Sequence, residues 1–358
     1  MQFENHVNTS IFNTTIFRSP LSESGKKPAS NTMTNLPFLD AIARQVLAST
    51  DMDASYKARI ERRIQVLSKN TLNLLIIGSK GAGKSATLRA LFGEHDWQAD
   101  DLNNGGSYAP PAALRRHELN QFTVWQADLP NGNDPAPQFW SEVGALLSET
   151  DTDNTPLIDQ VVVVLDAANS NIDDCYLDIC HSIVPMLGAM PENRLMIVMN
   201  KADKVARHIR GTRANELMPL DAEIWLDCTA ATLRYRLWHN TGIQTRPLAY
   251  SALAGESPNG RPFNLQKLMV NMLASLPEEK RITFLNQPLT RGDDQWRDHD
   301  EKMIYLQSVE NICFDSLHLG ARDGDRFGGQ LGAFLGRHGR ALGDIVSDTI
   351  RAQMGITI

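Results

Sequence analysis

Residues 74–85 read LLIIGSKGAGKS, four aliphatic side chains that run directly into three glycines, two lysines and two serines. The spacing G-x-x-x-x-G-K-S falls at Gly78, Gly83, Lys84 and Ser85. Glycines in such a loop let backbone amides turn inward and approach phosphate oxygens, and the lysine adds a positive charge near the terminal phosphates. The Ser85 hydroxyl suits Mg2+, and a helix beginning here would aim the positive end of its dipole at the same anion. Gly78, Ser79, Lys80, Gly81, Ala82, Gly83, Lys84, Ser85 and Ala86 are therefore the expected phosphate-binding positions. A glycine-rich turn of no chemical consequence is the bland alternative, and the flanking strand and helix patterns count against it.

A second cluster closes another apolar run. MIVMNKADKV places Asn200, Lys201 and Asp203 at the end of a strand pattern as N-K-x-D. A carboxylate there can accept from the ring N–H and the exocyclic amine of guanine together, a pair that adenine does not offer. The aliphatic stem of Lys201 can lie along the base. Alone, four common residue types make a weak signal. Their position after the phosphate loop and on a strand of the same pattern makes it specific.

On these two motifs the chain resembles the TRAFAC-class P-loop GTPases, most closely the Era-like branch and the bacterial predicted GTPases of prophages and genomic islands. The resemblance spans about residues 55–280. It implies a slow GTP-hydrolysing switch that uses GTP or GDP and Mg2+, or a guanine-nucleotide scaffold with little turnover. It also implies roles for further residues. Ser251 and Ala252 stand where the family's final strand ends in Ser-Ala beside the guanine carbonyl. Asp128 to Asn131, DLPN, match the family's DLPG, with Asp128 toward Mg2+ and position 131 toward the last phosphate.

The pattern departs from the family in three places. Asn131 replaces the glycine, although Asn tolerates positive φ and Gly132 follows. No threonine lies between Leu88 and Phe122, which leaves Ser107 as the nearest hydroxyl substitute for the metal-holding threonine. Gly81 stands where some Era relatives bind potassium through asparagine. No residue presents itself as the group that positions the attacking water, so the catalytic residue stays unassigned.

The elements that must hold these residues follow from periodicity. Strand patterns lie at 73–78, 121–128, 161–166, 195–200 and 247–252, and helical patterns at 84–92, 136–148, 173–189, 214–238 and 262–275. Four of the strands are near-continuous apolar runs, as in a sheet covered on both faces. FTVWQAD alternates in part, like an edge or antiparallel strand. The alternation predicts an α/β fold with a doubly wound, mainly parallel sheet and ligands at the strands' carboxyl ends. Asp166, Asn169 and the histidines take structural readings.

Outside that region the sequence predicts a disordered tail over 1–36, two helices over 37–70 broken near TDMD, the α/β domain over 71–280, and a helical, glycine-rich C-terminal segment over 281–358. Glycines recur there at 320, 324, 328, 332 and 336. In a helix five of them cost about 5 kcal/mol relative to alanine, which only close packing would offset. A helix–helix contact within or between copies, a flexible segment, and an interfacial membrane helix all fit.

Of 358 residues 42% are hydrophobic and 22% charged, ordinary for a globular protein, and the net charge of −7 speaks against general or sequence-specific nucleic-acid binding. Four cysteines without C-x-x-C spacing suit a reduced, cytoplasmic chain. A homo-oligomer or an unidentified effector is the expected partner besides the guanine nucleotide. Ribosome and membrane contacts come from resemblance alone.

Overall fold

The structure is a computed structural model that describes residues 38–92, 114–119, 121–130, 136–151, 154–169, 172–188, 191–210, 218–252, 263–285, 303–304, 306–312 and 337–353. The tail over 1–36, Ser107, Asn131 and the 320–336 glycine series lie outside the described residues.

Two helices lead in, α1 (Phe38–Ala48) and α2 (Ala54–Leu67). The break between them comes from Asp53, whose extended backbone caps α2 while its carboxylate accepts the Tyr56 N–H at 2.7 Å. Then β1 (Leu72–Gly78) enters α3 (Lys84–Phe92), and β2 (Leu114–Leu119) turns into β3 (Phe122–Asp128). Next come α4 (Ala136–Ser148), β4 (Gln160–Asp166), α5 (Ile172–Asp178), a π turn at Ile179–Ile183 and α6 (Val184–Met186). The remainder is β5 (Leu195–Asn200), α7 (Ala202–Arg210), α8 (Leu220–Thr241), β6 (Leu248–Ala249), α9 (Leu265–Ser275), α10 (Glu278–Leu285) and α11 (Arg337–Gln353).

The six strands run in the order β2-β3-β1-β4-β5-β6. All neighbours are parallel except the β2–β3 pair. This is the expected α/β sheet, with one correction. FTVWQAD is not an edge strand: β3 lies inside the sheet, parallel to β1 and antiparallel to the unforeseen β2. Its partial alternation reflects one half-covered face, where Thr123 and Trp125 are only partly buried.

Successive strand residues face opposite layers. Leu74, Ile76, Val124, Val162, Val164 and Val198 join α1, α2, α3, α9, α10 and α11 in one core. Leu75, Ile77, Val161, Val163, Ile197 and Met199 join α4, α5, α7 and α8 in the other. The connection from β1 runs toward β3 and β2, whereas the connection from its other neighbour, β4, runs the opposite way toward β5. The loop after β1 therefore sits at the topological switch point, where α/β sheets hold ligands.

The first core reaches the far end of the chain. Leu342, Val346 and Ile350 of α11 pack with Phe38 and Ile42 of α1, and Gln45 donates to Thr349 at 3.1 Å. Among the described residues no helix is long and apolar enough to cross a membrane. Leu342→Ala should cost about 2–4 kcal/mol in denaturant unfolding followed by circular dichroism. A small early transition confined to helical signal would instead mark α11 as a separate unit.

Candidate functional site

Gly78 ends β1 with no room for a side chain, since a Cβ there would lie 2.2 Å from the Val164 carbonyl oxygen. The loop then turns through Gly81 at φ +84° and Gly83 at φ +98°, and the Ala82 N–H donates to the Ser79 carbonyl at 3.1 Å. Glycine is required at both turns for backbone reasons, and at Gly83 for a second reason: a Cβ would meet Asn200 Nδ2 at 2.1 Å. Lys84 opens α3 with its side chain 3% exposed.

The three donors of the Lys84 ammonium go to Gly78 O and Ser79 O, each at 2.8 Å, and to the Asp128 carboxylate. Burial pushes this amine below its ordinary value, and the Asp128 hydrogen bond and charge pull the other way. Asp128 closes β3 directly beside Gly78 in register, and the Leu129 N–H donates to Gly78 O at 3.0 Å. One residue into α3, Ser85 Oγ lies 3.3 Å from Gln126 Oε1. Ser85 and Asp128 are thus two oxygen groups flanking the lysine. Mg2+ characteristically takes one or two such protein oxygens and fills its octahedron with water and phosphate. Among the described residues, no group of three or more His, Cys, Asp or Glu could hold a metal ion.

The second cluster is built around Asn200, which is 3% exposed at the end of β5. Its Oδ1 accepts the Lys201 N–H at 2.8 Å and the Ala252 N–H at 3.1 Å, while Nδ2 donates to Ala82 O at 3.0 Å. The amide orientation is fixed by these partners, since only oxygen can serve the two N–H groups. Lys201 turns the chain at φ +70°, an unusual value for a residue with a Cβ. Its ammonium pairs with Asp166 Oδ2 at 2.5 Å. Asp166, expected to be structural, thus holds the lysine of the motif at the end of β4.

Asp203 has both oxygens fixed. Ser251 Oγ donates to Oδ1 at 2.7 Å, and Arg207 pairs with Oδ2 from one turn along α7. Ser251 is buried and Arg207 is half-exposed, so one restraint is permanent and the other yields to solvent or to a competing donor. The preceding Tyr250 is fully buried; its hydroxyl lies 2.5 Å from Thr87 Oγ1, which in turn donates to Gly83 O at 2.9 Å. Burial raises the Tyr250 pKa far above the phenolic range, so it stays neutral.

The structure brings the phosphate-loop residues, Asp128, the N-K-x-D residues, Ser251 and Ala252 to one end of the sheet. Several contacts there were not read from sequence. Gln126 shares the inward face of β3 with Phe122 and Val124, so a buried polar residue in an apolar series was its signal. Cys175, whose Sγ lies 2.8 Å from Ser79 Oγ, carried none.

No family model matches the sequence, and no curated protein does. Solved structures show a resemblance in arrangement. Toc33 from Arabidopsis thaliana, in complex with Mg2+ and GMPPNP, is 15% identical over 66% of this chain and 96% of its own, with a TM-score of 0.39. A probable GTP-binding protein, engB, is 13% identical over 57% and 97%, with a TM-score of 0.35. Era from Aquifex aeolicus, bound to GDP and AlF4−, is 19% identical over 58% and 57%, with a TM-score of 0.33. These values are low, and the side chains of this chain carry the functional reading.

The two loop glycines differ in a way that can be measured. Gly81→Ala meets open space and should cost about 1–2 kcal/mol for its positive φ alone. Gly83→Ala should cost about 1–3 kcal/mol more, because the new methyl displaces Asn200 from Ala82. Equal losses in denaturant unfolding would show that the Asn200 contact contributes nothing.

Proposed function

We propose that the chain binds a guanine nucleotide with Mg2+ and hydrolyses GTP slowly, as a molecular switch. The observation that supports this best is the Asn200 bridge. It joins the phosphate-binding positions to the residues that would read the base, while Ser251 holds the carboxylate of Asp203 in place.

On this reading each residue has a chemical task. The loop from Gly78 to Ala86, with Ser79, Lys80, Gly81 and Ala82 between, offers backbone amides to phosphate oxygens. Lys84 supplies a buried positive charge and would exchange its carbonyl and Asp128 partners for phosphate. Ser85 and Asp128 hold the metal ion, with Gln126 orienting the serine. Mg2+ when bound neutralises charge on the terminal phosphates. Asp203 accepts from the ring N–H and amine of guanine, the stem of Lys201 flanks the ring, and the backbone at Ser251 and Ala252 meets the base carbonyl. Asn131 and Ser107 are proposed to contact the last phosphate and the metal, so their conformations would report hydrolysis.

A second reading is a nucleotide-binding scaffold with little turnover, seated in the cytoplasm and using its glycine-periodic C-terminal segment for association. The substitution of Asn131 for glycine favours it, because the amide that would sense the last phosphate is displaced from its most permissive residue type. Single-turnover hydrolysis separates the two readings: GTP bound tightly with no product formed supports the scaffold.

Binding measurements test the shared core of both. GTP and GDP should bind at least about 100-fold more tightly than ATP, and Asp203→Ala should remove most of that preference through loss of a charge-assisted pair of hydrogen bonds. Lys84→Ala should weaken all three nucleotides by about 100-fold or more. Comparable affinities for ATP and GTP in calorimetry would rule out the guanine assignment.

A further inference from the structure

Helix α8 is apolar on two faces. Ala222, Leu226, Leu233 and Leu237 point into the core, as any surface helix requires. The opposite side carries Leu220, Ile224, Cys228, Ala231, Tyr235 and Trp238, all exposed. These six fall at intervals of three and four residues and form one stripe about 27 Å long. Among the described residues, eleven large hydrophobic side chains are exposed, and five of them (Leu220, Ile224, Trp225, Tyr235 and Trp238) belong to this helix. Tyr235 and Trp238 lie with ring centroids 6.2 Å apart, so the stripe ends in an aromatic cluster. Scattered single hydrophobic residues need no explanation, but a contiguous ridge of this length does.

The charges beside the stripe identify what covers it. On the flanks of the stripe the first half of α8 exposes Asp221 and Asp227 and the second half exposes Arg234 and His239, whereas Arg236 turns inward over the Tyr176 ring. A second copy of the same helix laid antiparallel brings each acidic half against a basic half. A parallel copy would oppose like charges. An antiparallel pair about a two-fold axis near residues 229–230 sets Ile224 against Tyr235, Leu220 against Trp238 and Cys228 against Ala231. On one flank it sets Asp227 against Arg234. The small residues Cys228 and Ala231 fall at the crossing, where close approach of two helices demands them. The pattern is therefore self-complementary, as an isologous interface must be. A bilayer surface fits less well, because acidic residues line the stripe and the chain carries a net charge of −7.

We infer that α8 is the two-fold interface of a homodimer, formed by antiparallel packing of Leu220, Ile224, Cys228, Ala231, Tyr235 and Trp238 against the same residues of a second copy. A single helix pair lies at the small end of specific interfaces, so dissociation on the order of micromolar is expected.

Sedimentation velocity on the full chain in reducing buffer tests this, at concentrations up to about 100 μM. The wild type should shift from the mass of one 39.8 kDa chain to that of two as concentration rises. Asp227→Arg and Arg234→Asp should each raise the dissociation constant at least about tenfold by facing like charges across the axis. The double variant Asp227→Arg/Arg234→Asp should restore dimerisation, which misfolding could not do. Three results would each overturn the assignment. The first is a chain that stays monomeric throughout, as it would if its own residues cover the stripe. The second is a dimer indifferent to both single changes. The third is a folded double variant that stays monomeric.

Discussion

One buried amide ties the loop end of this sheet together. Asn200 spends its oxygen on two backbone N–H groups and its nitrogen on the Ala82 carbonyl, and so joins the segments that follow β1, β5 and β6. In the sheet β1 and β5 are separated by β4, so the side chain must cross a strand to reach its partner. It can do so only because Gly83 has no Cβ at the point of closest approach. Removing the amide would leave a carbonyl and two N–H groups to find other partners in a region closed to water. That asymmetry makes a satisfied buried network far stiffer than the net worth of its bonds suggests. The fully buried pair of Tyr250 and Thr87 fastens the same segments from beneath.

Charge is arranged across the strand ends with equal economy. Following the sheet from β3 to β5, the chain places Asp128, then Lys84 after β1, then Asp166, then Lys201. Acid and base alternate, so each ammonium has a carboxylate from the adjoining strand. The pairs differ in burial. Lys84 is nearly closed off and its amine is pushed downward by desolvation, whereas Lys201 and Asp166 retain contact with solvent. The buried Lys84 ammonium is the more sensitive to an arriving anion, since a charge brought beside it acts through little solvent. Asp203 completes the row, held by Ser251 on one oxygen and by a half-exposed arginine on the other.

Much of this was legible because the signals were of the strongest kinds. An apolar strand feeding a glycine loop and a helix identifies β1 and α3, and buried runs such as VVVVLD identify β4. What escaped was set by partners rather than by local pattern. The strand LRRHEL is polar enough to read as a loop and exists through its antiparallel pairing with β3. The nine residues of α7 are brief and highly charged. The π turn at Ile179–Ile183 precedes Pro185, which has no N–H to give to the carbonyl four residues back, and the Val184 N–H reaches Ile179 O instead. In the site, N-K-x-D points to a base reader, yet nothing in four letters says that its asparagine also anchors the glycine loop after β1. That role needs the three-dimensional closeness of Ala82 and Ala252. The outer stripe of α8 is hard to see in sequence because the inner leucines, Leu226, Leu233 and Leu237, already satisfy an ordinary amphipathic pattern.

The same geometry bears on why binding and turnover would separate on the proposed reading. Hydrolysis needs a group that orients water at the last phosphate, and a glutamine near the aspartate proposed to hold the metal is a natural chemical type for it. Gln126 is such a glutamine, two residues before Asp128, but it lies 7% exposed with its amide turned to Ser85. Freeing it would break that contact and drag a polar group out of the sheet's inner face. Its place in an interior strand, with β1 on one side and β2 on the other, forbids an easy excursion. Gln126 is therefore engaged in holding the serine, and on the proposed reading the binding residues do not draw on it for catalysis. On the proposed reading, rapid hydrolysis would need its water-orienting group from another segment of this chain or from a partner, whereas binding would draw on the residues gathered at the strand ends.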